Sequence, residues 1–235
     1  MNNYVIHLEE LSQPETLKRK KDYIDYNLKS YFKRIGFINI KVLEVGPGLG
    51  EFESYLNDRG VSDIDIVDND KSILDYVSKK YQIKRYYLTN NISLIDKKLG
   101  KYNFIFLMQV LEHIPSGKYA NVLKLLYKHL EKEGFLVIVV PNANNPLGLV
   151  ERYGDLQHTG SFTEQSLKDL VNLSGIEDYS MEIKGYEIPP FDPLNILRVI
   201  LQKILHLILL SALIINGGLF FKIMTPNIAL VIKKT

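Results

Sequence analysis

Three glycines at alternate positions follow a short apolar run in Lys41-Val-Leu-Glu-Val-Gly-Pro-Gly-Leu-Gly-Glu51: Gly46, Gly48 and Gly50. Glycine lets a backbone approach a ligand closely, and a helix starting there offers unpaired N–H groups. Eighteen residues beyond Gly50 a second apolar run, Ile64-Asp-Ile-Val-Asp68, ends in a carboxylate with Asn69 beside it. A carboxylate in that place can accept hydrogen bonds from both hydroxyls of a ribose. Alone, a glycine cluster would be no more than a tight turn. The strand before it, the helix after it and Asp68 together describe an adenosine-nucleoside site. The spacing G-x-G-x-G departs from the G-x-G-x-x-G of dinucleotide enzymes, which favours a ligand without a pyrophosphate and weighs against an NAD-dependent dehydrogenase.

Strands and helices must alternate to place these residues. Strand-like runs fall at 41–46, 63–68, 84–89, 103–109 and 135–141, and helix-like segments at 50–58, 71–81, 92–98 and 117–132. Such alternation indicates right-handed βαβ units. Phe104-Ile-Phe-Leu-Met108 and Phe135-Leu-Val-Ile-Val-Val140 are continuously apolar, as strands buried on both faces are. The fold class is therefore α/β, a Rossmann-like open and mostly parallel sheet with helices on both faces. Before it, residues 14–35 carry Leu17, Tyr23, Ile24, Leu28, Tyr31 and Phe32 at helical spacing. After it come a helix at 163–174, a strand near 180–188, a long apolar helix at 194–215 and a final strand, Asn227–Lys233, expected antiparallel at or near the sheet edge. Residues 1–35 form a helical segment, 36–188 the core, and 189–235 complete the same domain.

With 235 residues, 46% hydrophobic and 24% charged, the chain can bury one sizeable core. It has no cysteine, which excludes disulfides, Cys-ligated zinc and a Cys nucleophile and suits a reducing compartment. The net charge of +2 is too small to argue for a nucleic-acid partner. From Phe191 onward Arg198, Lys203, Lys222, Lys233 and Lys234 face only Asp192, so this tail is +4 and the preceding 190 residues carry −2. The first 35 residues, broken by Glu9, Glu10, Glu15 and the cluster Lys18–Lys21, hold no signal-peptide run, so a cytoplasmic location is expected.

Val42-Leu-Glu-Val-Gly-Pro-Gly-Leu-Gly-Glu-Phe52 resembles motif I of class I methyltransferases, enzymes that use S-adenosyl-L-methionine. Phe106-Leu-Met-Gln-Val-Leu-Glu-His-Ile-Pro115 is similar to their fourth-strand motif, and Gly134-Phe-Leu-Val-Ile-Val-Val-Pro-Asn142 to their fifth. The resemblance covers about residues 36–188. It implies that Glu44 and the glycine-loop backbone hold the methionine end of the cofactor and Asp68 the ribose. By the same resemblance Asn90, Asn91 or Ile92 borders the adenine, and Gln109 and Val110 line the floor beneath the sulfonium. Pro47 stands where many members carry cysteine.

Methyl transfer from a sulfonium is an in-line displacement in which the protein aligns the acceptor, excludes water and, for a hydroxyl, removes its proton. No metal is required in principle, and no metal site is expected. Of five histidines, His7 reads as a solvated bystander, His129 as a surface residue of the 117–132 helix, and His206 as part of the apolar tail. His158, in the loop Arg152-Tyr-Gly-Asp-Leu-Gln-His158, is the best base, with Asp155 or the backbone fixing its tautomer. His113, after the fourth strand, is the alternative. The bland reading is that Asp155 and His158 only brace the next helix, capped by Thr163 or Ser161.

Pro141-Asn-Ala143, the Arg152–His158 loop and Phe162-Thr-Glu-Gln-Ser-Leu167 resemble a narrower group, methyltransferases found with bacterial surface-polysaccharide and lipopolysaccharide assembly. Gln157 replaces their usual threonine, and Ile176 a common phenylalanine. The resemblance implies a glycan acceptor or its lipid-linked precursor. A small or lipophilic acceptor such as a quinone precursor is the runner-up, and a binding module with a vestigial cofactor site the non-enzyme alternative.

The helix at 194–215 carries one narrow polar stripe, Asn195, Arg198, Gln202 and His206. Arg198 and Lys203, with Asn216-Gly-Gly218 ending the helix 12 residues after Lys203, argue against a span of about 20 residues. Something must cover its apolar surface: the rest of the fold, a second copy in a homodimer, or a membrane surface, placing the enzyme peripherally on the inner face.

Overall fold

The computed structural model describes residues 14–148, 153–218 and 220–235. Seven strands form one sheet: β1 (Val42–Val45), β2 (Ile64–Asp68), β3 (Arg85–Leu88), β4 (Tyr102–Met108), β5 (Leu130–Pro141), β6 (Tyr179–Tyr186) and β7 (Asn227–Lys234). Their order is β3-β2-β1-β4-β5-β7-β6, with β1 to β5 parallel and β7 antiparallel to both its neighbours. The helices are α1 (Pro14–Ile35), α2 (Glu51–Asn57), α3 (Lys71–Lys80), α4 (Tyr119–Lys128), α5 (Glu164–Ser174) and α6 (Pro193–Gly217). This is the expected Rossmann-like sheet, and its strand order reverses between β1 and β4.

Successive strand residues point to opposite faces, and each face has its own core. On one, Ile105 and Leu107 of β4 and Leu136, Ile138 and Val140 of β5 pack with Leu123 and Leu126 of α4 and Leu167 of α5. On the other, Phe104, Phe106, Phe135, Val137 and Val139 meet Leu28, Tyr31 and Phe32 of α1 and Phe52, Tyr55 and Leu56 of α2. That face is aromatic: the Phe32 ring stacks on Phe104 at 4.5 Å between centroids and on Phe37 at 4.9 Å. β2 adds a buried polar tie. Asp65, fully buried, accepts from Arg85 Nε and Nη2 at 3.1 and 2.8 Å and from Tyr102 Oη at 2.7 Å, linking β3, β2 and the start of β4.

Several local expectations change. The fourth helix stops at Lys128 instead of 132, because the chain turns into β5 at Leu130. Tyr102 pairs with Leu130 but Phe104 with Phe135, so Glu131–Gly134 bulge out of the ladder. Glu133 sits there at φ 64, and a Cβ on Gly134 would lie 2.9 Å from the carbonyl oxygens of Asn103 and Glu131. Ile92–Lys98 is a 3-10 helix, its first turn capped by Asn91. The final strand is antiparallel and next to the sheet edge as expected, between β5 and β6 with Ile228–Ile232 buried. His129 is buried rather than on the surface: Nδ1 lies 2.7 Å from the Gly100 carbonyl and Nε2 2.7 Å from Asp96 Oδ1. His7 and Arg152 lie outside the described residues.

For the long apolar helix the structure removes one of the three expected covers. None of the residues of α6 is buried, so packing within the fold does not cover it. Asn195, Val199, Gln202, His206, Leu209, Leu210 and Leu213 are half-buried, while Leu194, Leu197, Leu201, Leu207 and Ile208 are exposed. Most of the polar stripe therefore turns toward the protein and the apolar face turns out. At 25 residues, with mean hydropathy 2.0 over its most apolar stretch, α6 is long and apolar enough to cross a membrane by length and composition.

Replacing Phe32 by alanine empties a fully buried site that joins α1 to the sheet. Phe32→Ala should cost about 3–5 kcal/mol in urea denaturation. A loss under about 1 kcal/mol would mean that α1 is not part of the cooperative core.

Candidate active site

The geometry starts at the glycine turn. Gly46 has φ 77, Gly48 φ 54 and Gly50 φ 83, all in the left-handed region. At Gly46 the need is also steric, because a Cβ would lie 2.4 Å from Val110 Cγ2. At Gly50 a Cβ would sit 2.2 Å from the Tyr81 ring, so this glycine serves packing of the turn against the end of α3. Across the switch point Gln109 adopts φ 54 and donates its N–H to the Val139 carbonyl at 2.8 Å, turning the chain sharply after β4.

Glu44, Gly46, Gly48 and Gln109, four of the expected cofactor residues, line one cleft of about 420 Å³, within the usual size of a small-ligand site. Its other wall is α1, through Thr16, Arg19, Lys20, Tyr23 and Ile24, with Tyr186 of β6 closing one end. A Lys20–Glu51 ion pair at 2.5 Å clasps α1 to the first turn of α2. The helical pattern of 14–35 marked Tyr23 and Ile24 as core, and nothing local said that this helix would wall the site.

Asp68, Asn69, Asn90, Asn91 and Ile92 stand at the carboxyl ends of β2 and β3 and do not line this cleft. Asp68 Oδ1 accepts the Asp70 N–H at 2.8 Å, and burial raises its carboxyl above the ordinary range. Asn91 Oδ1 accepts the Ser93 N–H at 3.1 Å, so its side chain is a helix cap, and Ile92 is buried.

Glu44 is 3% exposed and Glu53, on α2 beneath it, fully buried. Burial first, then the neighbouring Glu53, hold the Glu44 carboxyl well above the usual range. Burial likewise pushes Glu53 up to about 7. Two carboxyls this close in a dry site cannot both ionise easily, so they retain protons.

The candidate bases come together at a second place. The rings of His113 and His158 lie edge to face, 4.7 Å apart at an interplanar angle of 71°. Burial, then the neighbouring His158, pulls the His113 imidazole below its ordinary range. The Asp155 carboxylate accepts the Gln157 N–H at 2.8 Å, while the His158 N–H donates to the Asp155 carbonyl at 3.3 Å. Neither residue caps the next helix: Thr163 does, in a reciprocal box with Ser166. His158 also borders a smaller pocket of about 90 Å³ beside Asn142, Gly160 and Phe162.

A doubly wound sheet with a glycine turn at its switch point and an acid ending the second strand is the arrangement of a Rossmann-like, nucleoside-binding enzyme. A sequence model described as a methyltransferase domain matches residues 14–181, and the chain belongs to that family. The ribosomal RNA small subunit methyltransferase A of Hydrogenobaculum sp. (strain Y04AAS1) is 29% identical over 99 residues, 41% of this chain and 37% of that protein. The match thus spans well under half of that relative. Among solved structures, a SAM-dependent methyltransferase from Archaeoglobus fulgidus is 19% identical, with TM-score 0.64 and full coverage of both chains. The plantazolicin methyltransferase BpumL in complex with SAH is 17% identical, with TM-score 0.60, over 98% of this chain and 89% of that one. Magnesium protoporphyrin IX methyltransferase from Synechocystis PCC 6803, with bound SAH, has 10% identity and TM-score 0.57 over 92% and 83%. At these identities the likeness is one of fold.

The carboxyl pair carries a pH prediction. From pH 4.5, the ordinary value for Glu53, to about 7, its raised value, the folded chain holds a proton that the unfolded chain has released. The Glu53 contribution to stability therefore falls as pH rises through that window, by up to about 1.4 kcal/mol per unit, and Glu44, also raised, adds to the fall. Melting curves from pH 5 to 8 should show a steeper fall for wild type than for Glu53→Gln. Equal slopes would remove Glu53 as a titrating group there.

Proposed function

We propose that this methyltransferase O-methylates a sugar hydroxyl of a surface glycan or of its lipid-linked precursor, working at a membrane face. The observation that carries the reading is the His113–His158 pair, 4.7 Å between ring centroids, assembled from the turn after β4 and the loop after β5. Both segments leave the carboxyl end of the sheet, where open α/β folds bind their ligands. A sugar hydroxyl is a weak nucleophile at neutral pH, and a positioned imidazole can take its proton. In this reading Glu44 and the glycine turn hold the methionine end of the cofactor and Asp68 its ribose. Asn69, Asn90, Asn91 and Ile92 border the nucleoside, Gln109 and Val110 form the floor, and His158 activates the acceptor with His113 beside it. Asp155 acts through the loop backbone and through its charge on His113.

The outward face of α6 supports the lipid-linked form of the acceptor. Its exposed leucines and isoleucines run beside Arg198 and Lys203, the two charged residues of the helix, both basic. An anionic leaflet satisfies both, adding roughly 1 kcal/mol for each basic residue near the surface. The same outward face would also suit a lipophilic acceptor such as a quinone precursor.

His158→Ala should lower turnover on the acceptor roughly 100-fold or more while calorimetry shows cofactor affinity nearly unchanged. Wild-type turnover would return His158 to a bracing role.

For the membrane contact, co-sedimentation should show binding to anionic vesicles and not to neutral ones. Added salt should weaken it, as should combined Arg198→Glu and Lys203→Glu. Protein that stays in the supernatant throughout, and is dimeric by light scattering, would assign α6 to a second copy instead.

A further inference from the structure

We propose that Glu112, His113 and His158 form a binding site for a divalent transition-metal cation. One carboxylate oxygen and one ring nitrogen from each histidine all lie within 4.8 Å of one another. Around a single ion, with bonds of about 2.0–2.2 Å, such atoms stand roughly 3–3.5 Å apart, so small side-chain rotations complete the set. Glu112 is 1% exposed and fixed in place, whereas both imidazoles are only partly covered, so an ion can enter from solvent.

The juxtaposition is built by the backbone. Glu112 and His113 belong to the 3-10 turn Leu111–His113, and His158 to the loop after β5. Thr159, next to His158, ties the two segments together: its N–H donates to the Glu112 carbonyl at 2.7 Å, and its hydroxyl to the same carbonyl at 3.1 Å and to that of Ile114. Tyr119 Oη lies 3.1 Å from the Thr159 hydroxyl, and a Cβ on Gly160 would come within 2.2 Å of that same Tyr119 oxygen. The loop therefore seats where only glycine fits, and His158 is held over Glu112 and His113. Two imidazoles and one carboxylate, with no thiolate in the chain, suit a first-row cation such as Co²⁺, Zn²⁺, Fe²⁺ or Mn²⁺ and leave coordination positions open.

Resting on O-methylation as the activity, the cation would take the acceptor hydroxyl in an open position and lower its pKa. With the cation bound, His158 serves as a ligand in place of the base role it has in the metal-free chain, and the hydroxyl proton leaves to water. The oxygen lone pair forms the new C–O bond as the S–CH₃ bond breaks, and the bonding pair returns to sulfur. The products are a methyl ether, S-adenosylhomocysteine and one proton.

Co²⁺ is the probe. Chelator-treated wild type should bind one Co²⁺ per chain by calorimetry, with visible d–d absorption of imidazole–carboxylate ligation. His113→Ala and His158→Ala, both at partly exposed positions, should each lose at least tenfold in affinity with circular dichroism unchanged. Absence of stoichiometric binding by wild type, or equal binding by both variants, would overturn the site. Methyl transfer tests the role separately. Full activity of the chelator-treated enzyme on its acceptor would remove the cation from the reaction and leave O-methylation standing. Site-specific Co²⁺ binding without transfer to any glycan would support the site and sink the acceptor assignment.

Discussion

Between β1 and β4 the backbone at Gly46 passes so close to Val110 that a single methyl group would collide with it, 2.4 Å from Cγ2. That approach sets the rest of the arrangement. It lets the two central strands end side by side with their following turns spread apart, the glycine turn on one side and Gln109 with its left-handed backbone on the other. The opening at a reversal of strand order comes from the topology. Its depth comes from the missing side chain.

Electrostatics then distinguish the two ends of the site. Under the glycine turn, Glu44 and Glu53 are buried among apolar and aromatic groups; desolvation raises both carboxyls, and Glu53 raises Glu44 further. A cationic ligand beside such a pair favours its ionised form, so the same burial that raises these groups readies them for positive charge. At the other end the groups are imidazoles, partly solvated, on short segments stitched together by Thr159. One end is dry and acidic, the other wet and basic, and β4 connects them.

The periphery is built from elements remote in sequence. The helix α1 is fastened to the core by aromatic stacking of Phe32 on Phe104 and to α2 by Lys20 and Glu51, and its other side becomes a wall of the cleft. The helix α6 turns Asn195, Gln202 and His206, with Val199, Leu209, Leu210 and Leu213, toward the protein, and its other leucines and isoleucines outward. Hydrophobic burial within this chain therefore cannot be what holds α6 in use.

The α/β class, the parallel core and the glycine turn were legible in the residues alone, because these follow from local period and backbone permissiveness. Apolar runs at 104–108 and 135–140 are as expected of strands buried on both faces, and three glycines after a strand mark a close approach. The sequence also picked out His113 and His158 one by one. Only the tertiary structure decided that they stand together with Glu112, because side chains 45 positions apart meet through loop closure, which leaves no periodic trace. The same holds for the buried place of His129, for the insertion of β7 inside the edge, and for α1 as a wall of the cleft. For α6 the sequence showed a stripe but not its direction. A helix has one amphipathic pattern and two ways to present it, and only packing chooses between them.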